Sequence, residues 1–195
     1  MRFRWKGRII FFATGNINKF NEARKVLAEL DLAVAMIKVK ALEIQSSSLN
    51  EIATASVEDA FSKCNLPIIV EDAGLFIDAL NGFPGPYAAY VYKTIGNAGL
   101  LRLLRSERNR EASFRSVIAY KSAEAEAPKL FSGDSHGIIV REERRGDGRS
   151  GFGFDPVFKP DESDKTFAEM GIEEKNLYSH RARALRSFAE WYRGL

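Results

Sequence analysis

The chain has 195 residues, 45% of them hydrophobic, with 29 Lys and Arg against 26 Asp and Glu for a net charge of +3. That length suits one sizeable core and is too short for two comfortable domains, and so small a positive surplus admits a polyanionic ligand without demanding nucleic acid. Cys64 stands alone, which excludes an internal disulfide; there is no Cys/His cluster for structural zinc, and no apolar run approaches the ~20 residues of a membrane span.

Met1 to Arg8 (MRFRWKGR) lacks the apolar core of a secretory signal, so a soluble protein of the reducing cytoplasm is expected. Arg8 to Thr14 (RIIFFAT) is a short run rich in Ile and Phe, which predicts a buried strand. After a turn at Gly15-Asn16, Ala23, Val26, Leu27 and Leu30 share one face of a helix from about Asn18 to Leu30, and Ala33 to Val39 reads as a second strand. This β-α-β opening argues for an α/β fold. Ser48-Leu49-Asn50-Glu51 is a capping-box pattern that launches a helix to about Lys63. Pro67 to Glu71 (PIIVE) is the next strand, ending in Asp72-Ala73-Gly74. The two prolines and two glycines of Gly82 to Tyr87 (GFPGPY) predict a rigid loop that is neither helix nor ladder, followed by a helix around Ala98 to Arg105. Ala112 to Lys121 and Lys129 to Arg141 have strong β character, the second with an interruption near Gly133. A final helix, about His180 to Tyr192, carries Leu185, Phe188, Ala189 and Tyr192 at i, i+3, i+4 and i+7. Only Arg141 to Gly151 (REERRGDGRSG) reads as mobile.

Several of these junctions carry chemistry. A strand running into a helix at Thr14-Gly15-Asn16 leaves helical N–H groups facing outward, where phosphate binds well. Gly15 permits close backbone approach, Thr14 and Asn16 offer side-chain hydrogen bonds, and Lys19 sits one turn in; a plain helix cap with a solvated lysine fits the spacing equally. The chain has no Walker loop, and its literal G-x-G-x-x-G at Gly146, Gly148 and Gly151 follows a charged run and precedes Pro156, so a hairpin loop is the better reading. Glu71-Asp72, at a strand end beside Gly74, projects a carboxylate toward the same rim as Gly15, and Glu43 lies in a loop within reach, although taken alone it reads better as a solvated surface acid. Two carboxylates facing a phosphate repel it unless a cation joins them, for which magnesium is the natural choice. Ser179-His180-Arg181 with Lys175 clusters donors and cations at a helix start, as an ordinary capped helix would. Phe152 and Phe154 share one face of an extended segment, packing in the core or stacking on a flat base. His136 has no partner at metal-ligand spacing and reads as a packing residue.

Taken together, TGN with Lys19, Glu43-Ile44-Gln45, Glu71-Asp72-Ala73-Gly74-Leu75, Gly82 to Tyr87, Phe152-Gly153-Phe154-Asp155-Pro156, Thr166 to Met170, Glu174-Lys175-Asn176 and Ser179-His180-Arg181 resemble the inosine triphosphate pyrophosphatase family over nearly the whole chain. The resemblance implies an elongated mixed α/β sheet flanked by helices, a single two-lobed domain over residues 1–195 around a central cleft, and a cytoplasmic homodimer without nucleic-acid or membrane partners. It implies hydrolysis of ITP, dITP and XTP to the monophosphate and pyrophosphate with magnesium (Mg2+). Thr14, Gly15, Asn16 and Lys19 would hold the phosphates, Glu43 and Asp72 the metal, with Asp72 also the base for the attacking water and Lys19 stabilising the leaving pyrophosphate. Phe152, Gly153, Phe154, Asp155, Lys175, His180 and Arg181 would form the base pocket, Arg181 or Lys175 donating to the 6-oxo group. A related pyrophosphatase for modified pyrimidine nucleotides is the enzymatic rival; a nucleic-acid-binding or nucleotide-sensing module is the non-enzymatic one. Two departures stand out. Ser56 occupies the position of a lysine found in many relatives, for which Lys63 on the same helical face is a possible substitute, and Ala73 replaces a frequent serine, leaving only its backbone N–H for the substrate.

Overall fold

The computed structural model describes residues 9–146 and 151–194. Its elements run β1 (Ile9–Ala13), α1 (Ile17–Ala28), β2 (Ala33–Ile37), α2 (Leu49–Cys64), β3 (Ile68–Ile77), β4 (Pro84–Gly85), α3 (Ala88–Leu103), β5 (Glu111–Lys121), β6 (Lys129–Ile139), β7 (Phe158–Pro160), α4 (Ile172–Tyr178) and α5 (His180–Arg193). The strands form one seven-stranded sheet in the order β2-β1-β3-β5-β6-β7, with β4 added to β3. β2, β1 and β3 are parallel and the remaining pairings antiparallel, which is the mixed sheet expected.

Strand alternation sorts the core. In β1, Ile10 and Phe12 pack on one face against Val26 and Leu27 of α1 and Leu185 and Phe188 of α5. Phe11 and Ala13 lie on the other face, where Ala53, Val57 and Ala60 of α2 cover Ile68, Val70 and Val117. A third cluster lies farther along β3 and β5 and joins Leu75, Ile77, Phe114, Phe158 and Phe167 to Val91 and Leu100 of α3. The same period of two decides where the two acids of β3 go. Glu71 follows Ile69 onto the α1/α5 face, and Asp72 follows Val70 onto the α2 face.

The structure departs from the sequence expectations where distant contacts decide. β3 does not end at Glu71: it continues to Ile77, paired with β5 over Ile68↔Lys121 to Ile77↔Ala112, because Leu75 and Ile77 feed the third cluster. GFPGPY does make a ladder, two residues long, with Pro84 opposite Phe76 and Gly85 opposite Leu75. The following helix starts at Ala88, ten residues before the expected Ala98, and Gly96 (φ 61°, ψ −168°) breaks it. β6 runs unbroken through Gly133, whose missing side chain leaves room for the backbone of His180 and Ala184. Residues 153–157 form turns, so Phe152 and Phe154 do not share the face of an extended segment. Half of the capping box at Ser48 forms directly, its hydroxyl accepting from the Glu51 amide (3.4 Å), and the return half passes through Ser46, whose hydroxyl donates to Glu51 (2.7 Å) and accepts from the Ser48 amide (2.9 Å). His136 is exposed on β6 and does not pack. Of the glycine-rich run, Gly148 lies outside the described residues, as does Arg8 ahead of β1. Among the described residues, no helix is long and apolar enough to cross a membrane.

Candidate active site

β1 ends where β3 passes beside it, and the turn into α1 opens there. The Thr14 hydroxyl accepts from the Asn16 amide (3.1 Å), and Asn16 Oδ1 caps α1 by accepting from the amides of Asn18 (2.9 Å) and Lys19 (3.3 Å). Both side chains expected to reach a phosphate therefore spend their acceptors on the turn itself, leaving the Thr14 O–H, the Asn16 NH2 and the amides of Gly15 and Ile17 as donors. Among the described residues, a Cβ on Gly15 would meet nothing within 4 Å beyond its chain neighbours, so this side of the turn is open to a ligand. Lys19 is not a solvated cap lysine: its Nζ donates to the Glu71 carbonyl (3.1 Å) and lies 2.7 Å from Glu71 Oε2, an ion-pair contact in distance though not aligned as a hydrogen bond.

Two cavities adjoin this turn. The first, about 320 Å³, is mainly apolar and is walled by Phe114, Phe152, Phe154 and Tyr92, with Ala73, Gly153, Asp155, Lys175, His180 and Arg181 also on its lining. The second, about 730 Å³, is the more polar of the two and contains Thr14, Gly15, Glu43, Ser56 and Asp72. Asn16 and Lys19 border both. Every site residue expected from the sequence thus lies on one of two adjoining cavities. Lys63 lies on neither: it pairs with Asp59 (2.6 Å) and the Lys40 carbonyl (2.8 Å), which removes it as a stand-in at Ser56. Ser56 itself is buried and donates to the Leu42 carbonyl.

Behind the apolar cavity is a buried network that local sequence does not reveal. Lys175 Nζ donates to Glu22 (2.8 Å) and Asp155 (2.6 Å); Arg181 donates through Nη1 to Glu22 and through Nε to Glu71 (3.0 Å). Ser116 donates to Glu71 (2.7 Å), and Asp155 accepts from the Phe152 amide (2.7 Å). With Lys19, three carboxylates thus balance three cations. Lys175 and Arg181 are 2% exposed, and two of the three Lys175 N–H groups and two of the five on Arg181 are committed to carboxylates. Arg181 Nη2 and the third hydrogen of Lys175 remain for a ligand, and both cations lie near the Phe152 ring (4.8 and 5.5 Å). Burial opposes ionisation of Glu71, yet the charges of Arg181 and Lys19 hold it well below the usual carboxylate range. Burial and the Glu22 charge push Asp155 up against the pull of Lys175, while Lys175, despite burial, is kept charged by Asp155 and Glu22. Glu22 was missed by sequence reasoning. Its signal was an acid beside Ala23 and Val26 on the buried stripe of α1.

His180 opens α5, stacks on Phe114 (4.7 Å between centroids, 10° between planes), and has a buried Nδ1 with no hydrogen-bond partner among the described residues. Burial, then the Arg181 charge, hold its imidazole well below the ordinary value, so it is neutral. Phe154 is core, edge-on to Tyr92. Gly153, with φ +62°, needs a glycine backbone. Asp72 is pushed up to about 6, chiefly by burial; Lys19 pulls it down, while Glu71 and Glu43 push it further up. That mutual repulsion of hard-oxygen donors suits a bound divalent cation. Among the described residues no cluster of three or more His, Cys, Asp or Glu is placed for a metal, so further ligands would come from phosphate oxygens and water.

Comparison with known proteins gives the same outline. The Ham1 family model matches residues 10–191. A dITP/XTP pyrophosphatase of Methanopyrus kandleri is 50% identical over 184 residues, 94% of this chain and 96% of its own, and one of Thermococcus kodakarensis is 49% identical over 180 residues, 92% and 95%. Among solved structures, the Staphylococcus aureus Ham1 protein superposes with a TM-score of 0.81 at 30% identity over 96% of this chain and 99% of that one. A HAM1 protein from Coxiella burnetii gives 0.81 at 32% identity, with the same coverage.

Proposed function

This chain belongs to the Ham1 family, and from that premise we propose that it hydrolyses non-canonical purine nucleoside triphosphates (dITP, ITP and XTP) to the monophosphate and pyrophosphate. The observation that carries this reading is the pairing of an apolar, aromatic-walled cavity with a polar one across the Asn16–Lys19 turn, which fits a flat base on one side and a triphosphate on the other. The Asp72 carboxylate takes the proton of the attacking water. Lys19 and the open amides at Gly15 and Ile17 stabilise the charge of the departing pyrophosphate. Glu43 and Asp72 would hold Mg2+, which when bound supplies Lewis acidity toward the phosphate oxygens.

Selectivity follows from what the buried network leaves unspent. Arg181 Nη2 and Lys175 donate to a 6-oxo group, whereas adenine presents an amino group there, donor against donor. The network fixes both cations, so neither swings away to relieve that mismatch. The residues act as one two-lobed unit, cytoplasmic and homodimeric, a reading that rests on the family resemblance.

The test is to incubate the protein with XTP, ITP, dITP, GTP, ATP, dUTP and dTTP plus magnesium and identify the products. Pyrophosphate and a monophosphate from the first three are expected. Orthophosphate release, or faster turnover of dUTP or dTTP, overturns the assignment. Arg181→Ala should reduce the XTP/ATP preference; an unchanged ratio removes its role at the base.

A further inference from the structure

The polar cavity holds positive charge besides that of Lys19, which is paired with Glu71. Lys38 and Lys40, just beyond β2, and Lys93 on α3 all line it. All three are exposed, and among the described residues none of their ammonium groups has a hydrogen bond or ion pair.

Lys93 differs from the other two in position. It lies one helical turn beyond Ala89 on the same face of α3, and both residues border the apolar cavity as well as the polar one. Asn16 and Lys19 do the same from the start of α1, so these four residues lie where the two cavities meet, at the neck between them. Ala89 offers only a methyl there, and Lys93 is the cation that α3 brings to the neck. A nucleotide whose base and distal phosphates occupy different cavities must pass its ribose and α-phosphate through that neck.

We propose that Lys93 binds the α-phosphate, while Lys38 and Lys40 bind the β- and γ-phosphates. This rests on the nucleoside triphosphate reading of the site. It also supplies, from α3 and the segment after β2, the cationic charge that Ser56 on α2 lacks. Contact with the phosphate that stays on the nucleoside ties Lys93 to the reacting phosphorus; Lys38 and Lys40 neutralise the part that departs.

Two product fragments separate the subsites. Inosine monophosphate carries only the α-phosphate, and pyrophosphate carries only the equivalent of the β- and γ-phosphates. In calorimetric titrations of the full chain, Lys93→Ala should weaken inosine monophosphate about tenfold or more, leave inosine and pyrophosphate unchanged, and leave the melting temperature unchanged. Lys93→Arg should restore most of the monophosphate affinity, and Lys38→Ala with Lys40→Ala should weaken pyrophosphate alone. Unchanged monophosphate affinity in Lys93→Ala, equal loss of both fragments, or no monophosphate binding by the parent overturns the proposal. A parent that binds the monophosphate through Lys93 yet releases no pyrophosphate from any triphosphate sinks the hydrolase reading and leaves the subsite standing.

Discussion

Replacing Glu71 by Gln keeps the side-chain shape and an acceptor for the Ser116 hydroxyl, but removes one negative charge from three carboxylates balanced by three cations. The Glu71 side chain has no exposed surface and that of Arg181 is 3% exposed, so water cannot screen the surplus. Breaking a buried pair on one side costs about 3–5 kcal/mol. At about 2–4 °C per kcal/mol for a chain of this size, the melting temperature should fall by about 6–20 °C. Arg181→Gln should cost a similar amount with the opposite sign of surplus. The double variant restores charge balance and should recover about 1–3 kcal/mol relative to the sum of the single changes. Guanidinium titration of the four proteins measures the cycle. A Glu71→Gln cost below about 1 kcal/mol, or strictly additive single effects, would refute the view that these six groups act as one unit.

Asp72→Asn should slow turnover by about 10²–10⁴-fold while leaving the protein at least as stable as the parent at pH 7, because the carboxylate is charged there against burial; parent-like activity removes Asp72 as the base. The neutral His180 makes stability pH-dependent: the folded imidazole stays unprotonated while the unfolded one takes up a proton below its ordinary value. In the Asp72→Asn background, which removes the opposing proton uptake of folded Asp72 below about pH 6, stability should therefore fall as pH drops below about 6.5, with a slope approaching 1.4 kcal/mol per pH unit, and His180→Gln should flatten that limb in denaturant titrations at successive pH values. Gly133→Ala should cost about 1–3 kcal/mol, since its Cβ would strike the backbone of His180 and Ala184; an unchanged melting temperature would show that α5 shifts freely on β6.

The first half of the fold was legible because its signals are local. An apolar run, a turn of small polar residues and a periodic stripe specify β1, the Asn16 cap and α1 without reference to the rest of the chain. β3 was read too short because Glu71 looks like a strand end until Arg181, 110 residues away, is placed against it. Gly133 resembled a break for a related reason: what requires it is a helix that begins 47 residues later. The start of α3 was hidden behind two prolines, and Tyr92, Ala89 and Lys93 were hidden with it. The motif residues were found by resemblance, and their placement on two adjoining cavities follows from alternation along β3. Glu22 belongs to neither source, since its role exists only once α1, α4 and α5 meet.

β3 and β5 stay hydrogen-bonded partners for ten consecutive residues, from beneath α2 to the far aromatic cluster, and β5 and β6 do the same over their own ten. The floor under the ligand is therefore a continuous beam, and the two walls cannot part like jaws about a flexible strap without tearing a ladder. Any tightening around a substrate must come from above that floor: from the first stretch of α3, which breaks at Gly96, and from the span between β2 and α2 that presents Lys38, Lys40 and Glu43. Crosslinking those two pieces would arrest the catalytic cycle, whereas pinning β3 to β5 would leave it running.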